Sequence, residues 1–361
     1  MPTSTPMSGA PLAEPRSVLV SGASFAGLAT AFWLNRLGYR VTVVEVAPSL
    51  RRGGTPVDIQ GETIAILTSM DLMEAVRERT LPPRRFAFKD AKNTTLGEMA
   101  HHPDDEAGPR YEIHRDDLLE VLSGAIGGDV ELLFNCSIVA IEERPEGVSA
   151  TFSDGSRHEF ALIFGCDGNR SNTRRLVFGD GEQFTHFMGG YFYLKVVPDT
   201  GLLPPNSSEV FAVPGRMAML NGYDDRTDIG FGFRTAGEIE YDHRNKDQQR
   251  RLIEEHFSGL EWKVPDMLAH IGDDNNFYFD RISQIRMPTW SQGRIALVGD
   301  AGYCVSPFAG LGGSMAIIGA GRLADALARH PDNYAAAFRA YEEGLRPFVE
   351  QVQERAAIDS V

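Results

Sequence analysis

One stretch constrains this chain more than any other: "SVLVSGASFAGLATAFWLNRLGYRVTVVE", Ser17 to Glu45. A short β-branched run meets a glycine turn, then a helix of small residues, then a second β-branched run that ends in an acid. Only a strand-turn-helix-strand unit with a parallel sheet satisfies that pattern. Backbone N–H groups at the start of such a helix point outward and favour an anion, as a dinucleotide pyrophosphate does. Gly22 permits the tight turn and Gly27 lets helix and strand approach, while the middle glycine of G-x-G-x-x-G is replaced by Ser24. Its hydroxyl can itself donate to a phosphate. Glu45, 23 residues beyond Gly22, stands where a carboxylate accepts ribose hydroxyls. The same stretch could also be a strand-turn-helix that holds no ligand.

A second stretch narrows the choice. "RIALVGDAGYCVSPFAGLGG", Arg294 to Gly313, reads as a buried strand ending in Gly-Asp, a loop through Pro307, and a helix opened by glycines. Asp300 at a strand end suits the hydroxyls of a ribityl chain. N–H groups at the glycine-rich helix start suit the edge of an isoalloxazine that becomes anionic on reduction. NAD has no such group, so the expected cofactor is FAD.

Composition excludes several other functions. The formal charge of −15 over 361 residues, with no basic block, disfavours nucleic acid and anionic membranes as partners. Cys136, Cys166 and Cys304 are scattered, and no histidine and cysteine spacing suits a metal. They read as packing residues of a reduced, cytoplasmic protein. No apolar run approaches the ~20 residues of a membrane helix, and "MPTSTPMSGAPLAEPR" reads as a disordered leader rather than a signal peptide. Between about Met188 and Arg286 the composition shifts to aromatic-rich strands such as "GGYFYLKVV" and "DIGFGFRT", which implies a second lobe. "RRFAFKDAKNTTLGEM" reads as a hairpin turning at Lys92-Asn93, and a long helix follows Asn333.

Three motifs in order carry a resemblance to a family: the opening glycine fingerprint, "DGNRSNTR" matching D-G-x-x-S-x-x-R, and the Gly-Asp segment at Gly299-Asp300. The chain resembles the FAD-dependent aromatic hydroxylases of the para-hydroxybenzoate hydroxylase type. Within them it is nearest to the tetracycline-inactivating and polyketide-tailoring flavin monooxygenases; "RGGTPVDIQG" is similar to a loop beside the flavin in the tetracycline-modifying branch.

The resemblance implies an α/β fold in which a Rossmann-like FAD-binding domain is interleaved with a mixed or antiparallel β-sheet substrate domain. The expected division is a leader at 1–16, FAD-binding segments at 17–80, 105–180 and 288–330, substrate segments at 81–104 and 181–287, and a C-terminal helix at 331–361. The implied cofactor residues are Gly22, Ser24, Phe25, Ala26 and Gly27 at the fingerprint, and Glu45 and Val46 at the second strand. Arg51, Arg52, Gly54 and Asp58 belong to the flavin loop, and Asp167 and Gly168 to the "CDG" step. Gly299, Asp300, Pro307, Gly310, Leu311, Gly312 and Gly313 frame the ring. Arg115 would reach the pyrophosphate or ribityl chain, although its other reading is a surface arginine at a helix start. The family's usual histidine, glutamine and asparagine in the flavin segment are Tyr303, Leu311 and Ser314 here.

The implied activity is a monooxygenase of secondary metabolism. NADPH or NADH, docking transiently, reduces FAD, and O₂ gives a C4a-hydroperoxide that hydroxylates an aromatic or polyketide-like small molecule. No side-chain nucleophile is required. The alternatives are an oxidase or reductase on the same scaffold, or a non-catalytic flavin-binding partner; a W-x-W-x-I-P halogenase stretch is absent. Candidates to line the substrate cavity are Tyr191, Tyr193, Arg216, Tyr223, Phe231 and Phe233, each of which could equally be core or hairpin surface. Alternation puts Tyr191 with Tyr193, and Phe231 with Phe233, on one face without saying which face looks inward. Oligomeric state is not legible.

Overall fold

A computed structural model describes residues 16–100, 108–198, 200–272 and 276–358. Residues 1–15 of the leader expected at 1–16 lie outside them. The first sheet grows from the glycine unit. β1 (Ser17–Ser21) is central, with β2 (Arg40–Glu45), β7 (Glu131–Phe134), β11 (Leu162–Gly165) and β18 (Ile295–Leu297) parallel to it and the two-residue β17 (Ser291–Gln292) antiparallel at one edge. The order is β17-β18-β11-β1-β2-β7. Val18, Leu19 and Val20 of β1 are fully buried, as a strand covered on both faces requires.

One face carries the helices α1 (Phe25–Arg36), α9 (Gly312–Arg329) and α10 (Tyr334–Ile358). The other meets the meander β8 (Ile138–Glu143), β9 (Val148–Phe152) and β10 (Arg157–Phe160) through Leu19, Val44, Ile163 and Phe152. A two-stranded ladder of β3 (Val57–Gln60) and β6 (Arg110–Ile113) lies beside α9, followed along the chain by α2 (Glu62–Ser69), α3 (Met73–Glu78) and α4 (Arg115–Ala125). Two short helices, α5 (Asn172–Phe178) and α8 (Asp300–Tyr303), follow β11 and β18.

The aromatic-rich segment forms a seven-stranded sheet in the order β16-β12-β15-β14-β13-β4-β5. Its members are β4 (Arg85–Lys89), β5 (Thr95–Ala100), β12 (Thr185–Pro198), β13 (Ser207–Val213), β14 (Arg216–Gly222), β15 (Arg226–Arg234) and β16 (Tyr278–Ile285). All pairs are antiparallel except β13 with β4. The hairpin turns at Asp90–Thr94, where Asn93 takes φ 64°. Helices α6 (Lys246–Phe257) and α7 (Val264–Ala269) cover one face of this sheet, burying Ile253, Phe257, Val264 and Met267 against it. Among the described residues no helix is long and apolar enough to cross a membrane.

Candidate functional site

The site lies beyond the carboxyl ends of the parallel strands, where loops from β1, β2, β11 and β18 converge. Gly22 takes φ +103°, and a Cβ there would stand 2.5 Å from the Cys166 carbonyl oxygen. A Cβ on Gly27 would stand 1.7 Å from the Gly22 oxygen. Both positions therefore admit glycine alone. Ser24 is the N-cap of α1, yet its side chain caps nothing, and the first turn of Phe25, Ala26 and Gly27 holds no acid. Its N–H groups are left for an incoming anion. The Glu45 carboxylate accepts from the N–H of Ala23 and of Ala47, both at 2.9 Å, so it sits against the fingerprint turn.

Arg115 gathers the next segment. Its guanidinium donates to the Arg51 carbonyl at 2.7 Å and the Ser24 hydroxyl at 3.0 Å, and stacks 5.2 Å over the Phe25 ring. The aliphatic stem fills the space a Cβ on Gly54 would take, 2.7 Å away. Burial pushes the guanidinium below its ordinary value, with the nearby Asp116 opposing. A surface arginine is thereby excluded. Gly53 N–H donates to Asp116 at 2.7 Å, which holds the same loop from below.

The Gly-Asp segment closes the other side. A Cβ on Gly299 would lie 3.0 Å from Cβ of Ala26, and one on Gly313 would lie 3.1 Å from Val57 and 3.3 Å from the Phe25 ring. Asp300 starts α8, and burial pushes its carboxyl up to about 6. At α9 the first turn is again uncapped and free of acids, with open space at Gly310 and Gly312 and a half-buried Leu311 as its N-cap. Pro307 is exposed in the short turn before it. Asp167 binds at home: it accepts from the Thr173 N–H at 2.8 Å, the Thr173 hydroxyl at 2.9 Å and the Ser171 hydroxyl, fixing the start of α5 beside the open Gly168.

Two expected side chains are engaged elsewhere, and a third is simply exposed. Arg52 is exposed and pairs with Glu120 at 3.0 Å on α4. Val46 is 59% exposed at the end of β2. The Asp58 carboxylate is captured by the Arg110 guanidinium across the β3–β6 ladder, with Nε at 2.7 Å; only its carbonyl serves the site, accepting the Ser314 hydroxyl at 2.8 Å.

The substrate-side expectation needs a larger correction. Tyr191 and Tyr193 stack with Phe231, Phe233, Phe277 and Phe279, and Phe231 packs on Phe257 of α6. Arg216 donates to the His256 carbonyl of the same helix at 2.9 Å. The four expected aromatic residues belong to the helix-covered core, with half-buried Arg216 at its edge, because α6 and α7 bury that phase of the alternation. Tyr223 lies on the opposite face but is locked: its hydroxyl donates to Asp228 at 3.1 Å, accepts from Arg84 at 2.6 Å, and its ring meets His114 at 4.6 Å. Burial pushes the Asp228 carboxyl up to about 6.

The opposite phase looks toward the flavin loop, since a methyl carbon of Val196 lies 4.0 Å from where a Cβ on Gly53 would be. Cross-strand pairing extends that face through Leu194, Gly230, Met219 and Val210 in one row and Phe192, Gly232, Met217 and Ala212 in the next. Two missing side chains at Gly230 and Gly232 leave a hollow, over which the Met219 and Met217 methyl carbons lie 3.0 Å and 3.6 Å from the vacant Cβ positions.

Several supporting residues gave no isolated signal in the sequence. Arg174, last in D-G-x-x-S-x-x-R, is buried and donates to the Ala301 carbonyl at 2.8 Å and the Asn169 carbonyl at 2.6 Å, joining two cofactor segments. Gln353 of α10 donates to the carbonyls of Ile285 (2.9 Å) and Cys304 (3.0 Å). Gln284 donates to those of Gln353 (2.7 Å) and Val305 (3.3 Å). They grip the strand of chain leading to Ser306, a non-glycine residue at φ +90°. Tyr303 turns away from the loop, its hydroxyl 2.8 Å from that of Tyr341 and its ring 4.4 Å from Trp290. Cys166 and Cys304 are buried, and burial raises both thiols, so neither is a poised nucleophile.

The arrangement fits FAD: two uncapped helix starts, the Glu45 and Asp300 carboxyls beside them, and an apolar sheet face turned toward the same loop. Comparison with known proteins agrees. The family described as "FAD binding domain" matches residues 16–356. The chain is 36% identical to uncharacterized protein MT1298 of Mycobacterium tuberculosis, over 94% of this chain and 92% of that one. It is 34% identical to the flavin-dependent monooxygenase of Legionella longbeachae, over 93% and 87%. The crystal structure of the tetracycline destructase Tet(51) superposes with TM-score 0.87 at 33% identity, covering 96% of this chain and 90% of the other.

Proposed function

We propose that this chain, which belongs to the FAD-dependent aromatic hydroxylase family of flavin monooxygenases, uses NAD(P)H and O₂ to hydroxylate a polycyclic aromatic or polyketide-like small molecule. The observation that carries the reading is the pair of uncapped helix starts, at Phe25 and Gly312, together with an apolar sheet face turned toward the loop at Gly53. Bound FAD supplies the two-electron chemistry with NAD(P)H and the activation of O₂.

The chain's own residues have four tasks. The N–H groups at Phe25–Gly27 and Gly312-Gly313 neutralise developing or resident negative charge without reorganising. Glu45 and Asp300 accept hydrogen bonds from the hydroxyls of the ribose and the ribityl chain. Arg115 holds the Arg51–Gly54 loop against the fingerprint. The face of Phe192, Leu194, Met217 and Met219 lays a flat substrate over the reacting edge and keeps water out. Methionine thioethers adapt their shape to a ring system. The likeness to a tetracycline destructase supports a substrate of fused rings bearing phenol or enol oxygens.

The test is turnover under ¹⁸O₂ with NADH or NADPH and a panel of phenolic polyketides that includes tetracycline. Substrate-stimulated NAD(P)H oxidation with one labelled oxygen in the product is expected. Unlabelled product with stoichiometric hydrogen peroxide would identify an oxidase instead. A protein that remains colourless after FAD addition would exclude both.

A further inference from the structure

Tyr278 opens β16 directly opposite Leu194, so its side chain belongs to the sheet face that looks toward the flavin loop, in the row of Leu194, Gly230 and Met219. It is 45% exposed, whereas its neighbour Phe279, on the helix-covered face, is 6% exposed. Yet the phenol stands within electrostatic range of Asp280, Asp300, Cys304 and Tyr241. Asp300 and Cys304 belong to the Gly-Asp segment. A large side chain that water can reach, set among groups of the cofactor cleft, lines the cleft rather than the outer surface.

The polar groups around it are already engaged. Asp280 is bound by the Arg170 guanidinium and accepts the Tyr241 hydroxyl at 3.1 Å, and Asp228 accepts from Tyr223. Leu194, Phe192, Met217 and Met219 offer no polar atom stronger than a thioether. The Tyr278 hydroxyl makes no hydrogen bond to any described residue. Partial desolvation of the phenol by the protein crowded around it, together with the neighbouring carboxyls, pushes its pKa above the ordinary tyrosine value, so it remains an O–H donor at every working pH.

Resting on the monooxygenase reading above, we propose that Tyr278 determines substrate orientation: its O–H donates to a keto, enol or phenol oxygen of a flat substrate held on the Phe192, Met217 and Met219 face. An apolar ceiling positions a ring system in depth but lets it slide and rotate in plane. One fixed donor at the edge removes that freedom and selects which carbon meets the reacting edge.

The experiment compares wild type with Tyr278→Phe, both loaded with FAD. The visible spectrum and FAD content are expected to match, because the substitution removes one hydroxyl from an open space. Tetracycline, used as the probe, is expected to perturb the bound flavin spectrum in both, with about 10-fold weaker affinity in the variant. For any substrate that turns over, KM rises by a similar factor and product formed per NAD(P)H falls, while the maximal rate of NAD(P)H oxidation changes less than twofold. Phe279→Leu, on the other face, lowers thermal stability and leaves tetracycline affinity unchanged. Equal affinity and equal coupling in wild type and Tyr278→Phe would overturn the assignment, as would the absence of any spectral response to tetracycline in either. Wild-type binding without oxygen incorporation would instead refute the monooxygenase reading and leave the affinity comparison to judge Tyr278.

Discussion

Arg115→Met tests how the flavin loop is held. The substitution keeps a stem of similar length over Phe25 but removes the donors to Arg51 at 2.7 Å and Ser24 at 3.0 Å. A hydrogen bond from a charged donor contributes about 1.5–3 kcal/mol. The two together would cost about 3–6 kcal/mol if nothing replaced them. The freed Arg51 carbonyl lies on an exposed loop, however, where water satisfies it, which leaves a net loss of about 2–3 kcal/mol. The loop must be fixed for FAD to seat, so this loss falls on binding. At 1.4 kcal/mol per decade it corresponds to about 30- to 150-fold weaker FAD affinity. Quenching of FAD fluorescence on titration into apoprotein measures it. Arg115→Lys, a point charge without the fork, falls between. An Arg115→Met protein that binds FAD within threefold of wild type would refute the idea that this guanidinium organises the cleft.

Gly27→Ala puts a methyl 1.7 Å from the Gly22 carbonyl, so the β1–α1 turn opens, FAD is lost from the purified protein and its melting temperature falls by several degrees. Asp300, raised from 3.8 to about 6 by burial, binds its proton more tightly in the folded apoprotein than in the unfolded chain. Its stabilising contribution to the apoprotein therefore exists below about pH 4 and is lost as pH rises through about 6. FAD hydroxyls need the ionised acceptor, so FAD titrations from pH 8 to 5 are expected to show affinity dropping by up to about tenfold per pH unit below 6, a dependence absent in Asp300→Asn. Tyr191→Phe removes the oxygen that accepts from Ile239 N–H at 2.6 Å, which costs about 1–2 kcal/mol in denaturant unfolding and leaves KM unchanged, because this ring lies in the helix-covered core.

What the sequence makes legible is the chemistry that short stretches of backbone enforce. Gly27 must be glycine because of the Gly22 carbonyl five residues before it, Gly22 takes the positive φ of a tight turn, and Glu45 and Asp300 stand at or just past strand ends that local patterning already marks. The phase of the substrate sheet is not local. β12 carries large apolar residues in both phases, Tyr191 and Tyr193 in one, Phe192 and Leu194 in the other. Which phase faces the cofactor is decided by α6 and α7, whose docking no pattern within the strand encodes. Tyr278 escaped notice for the same reason. The partner of the Asp58 carboxylate is equally non-local: it is Arg110, 52 residues away. The departures from family pattern have long-range explanations too: Tyr303 fills a notch at Gly319, where a Cβ would sit 1.9 Å from its hydroxyl, and Ser314 ties α9 to the Asp58 carbonyl.

The grip of α10 on the flavin segment bears on biosynthesis. Gln353 and Tyr341 secure carbonyls and side chains at Leu297–Cys304, whereas the pyrophosphate turn is complete by Gly27. A ribosome delivers these pieces in that order, with most of the polypeptide between them. The nascent chain can thus form the β1–α1 turn early, but the Leu297–Cys304 segment lacks these partners until the helix at 334–358 has emerged and docked. In this sense the Gly-Asp segment gains its last hydrogen bonds only in chains that have folded through to Gln353.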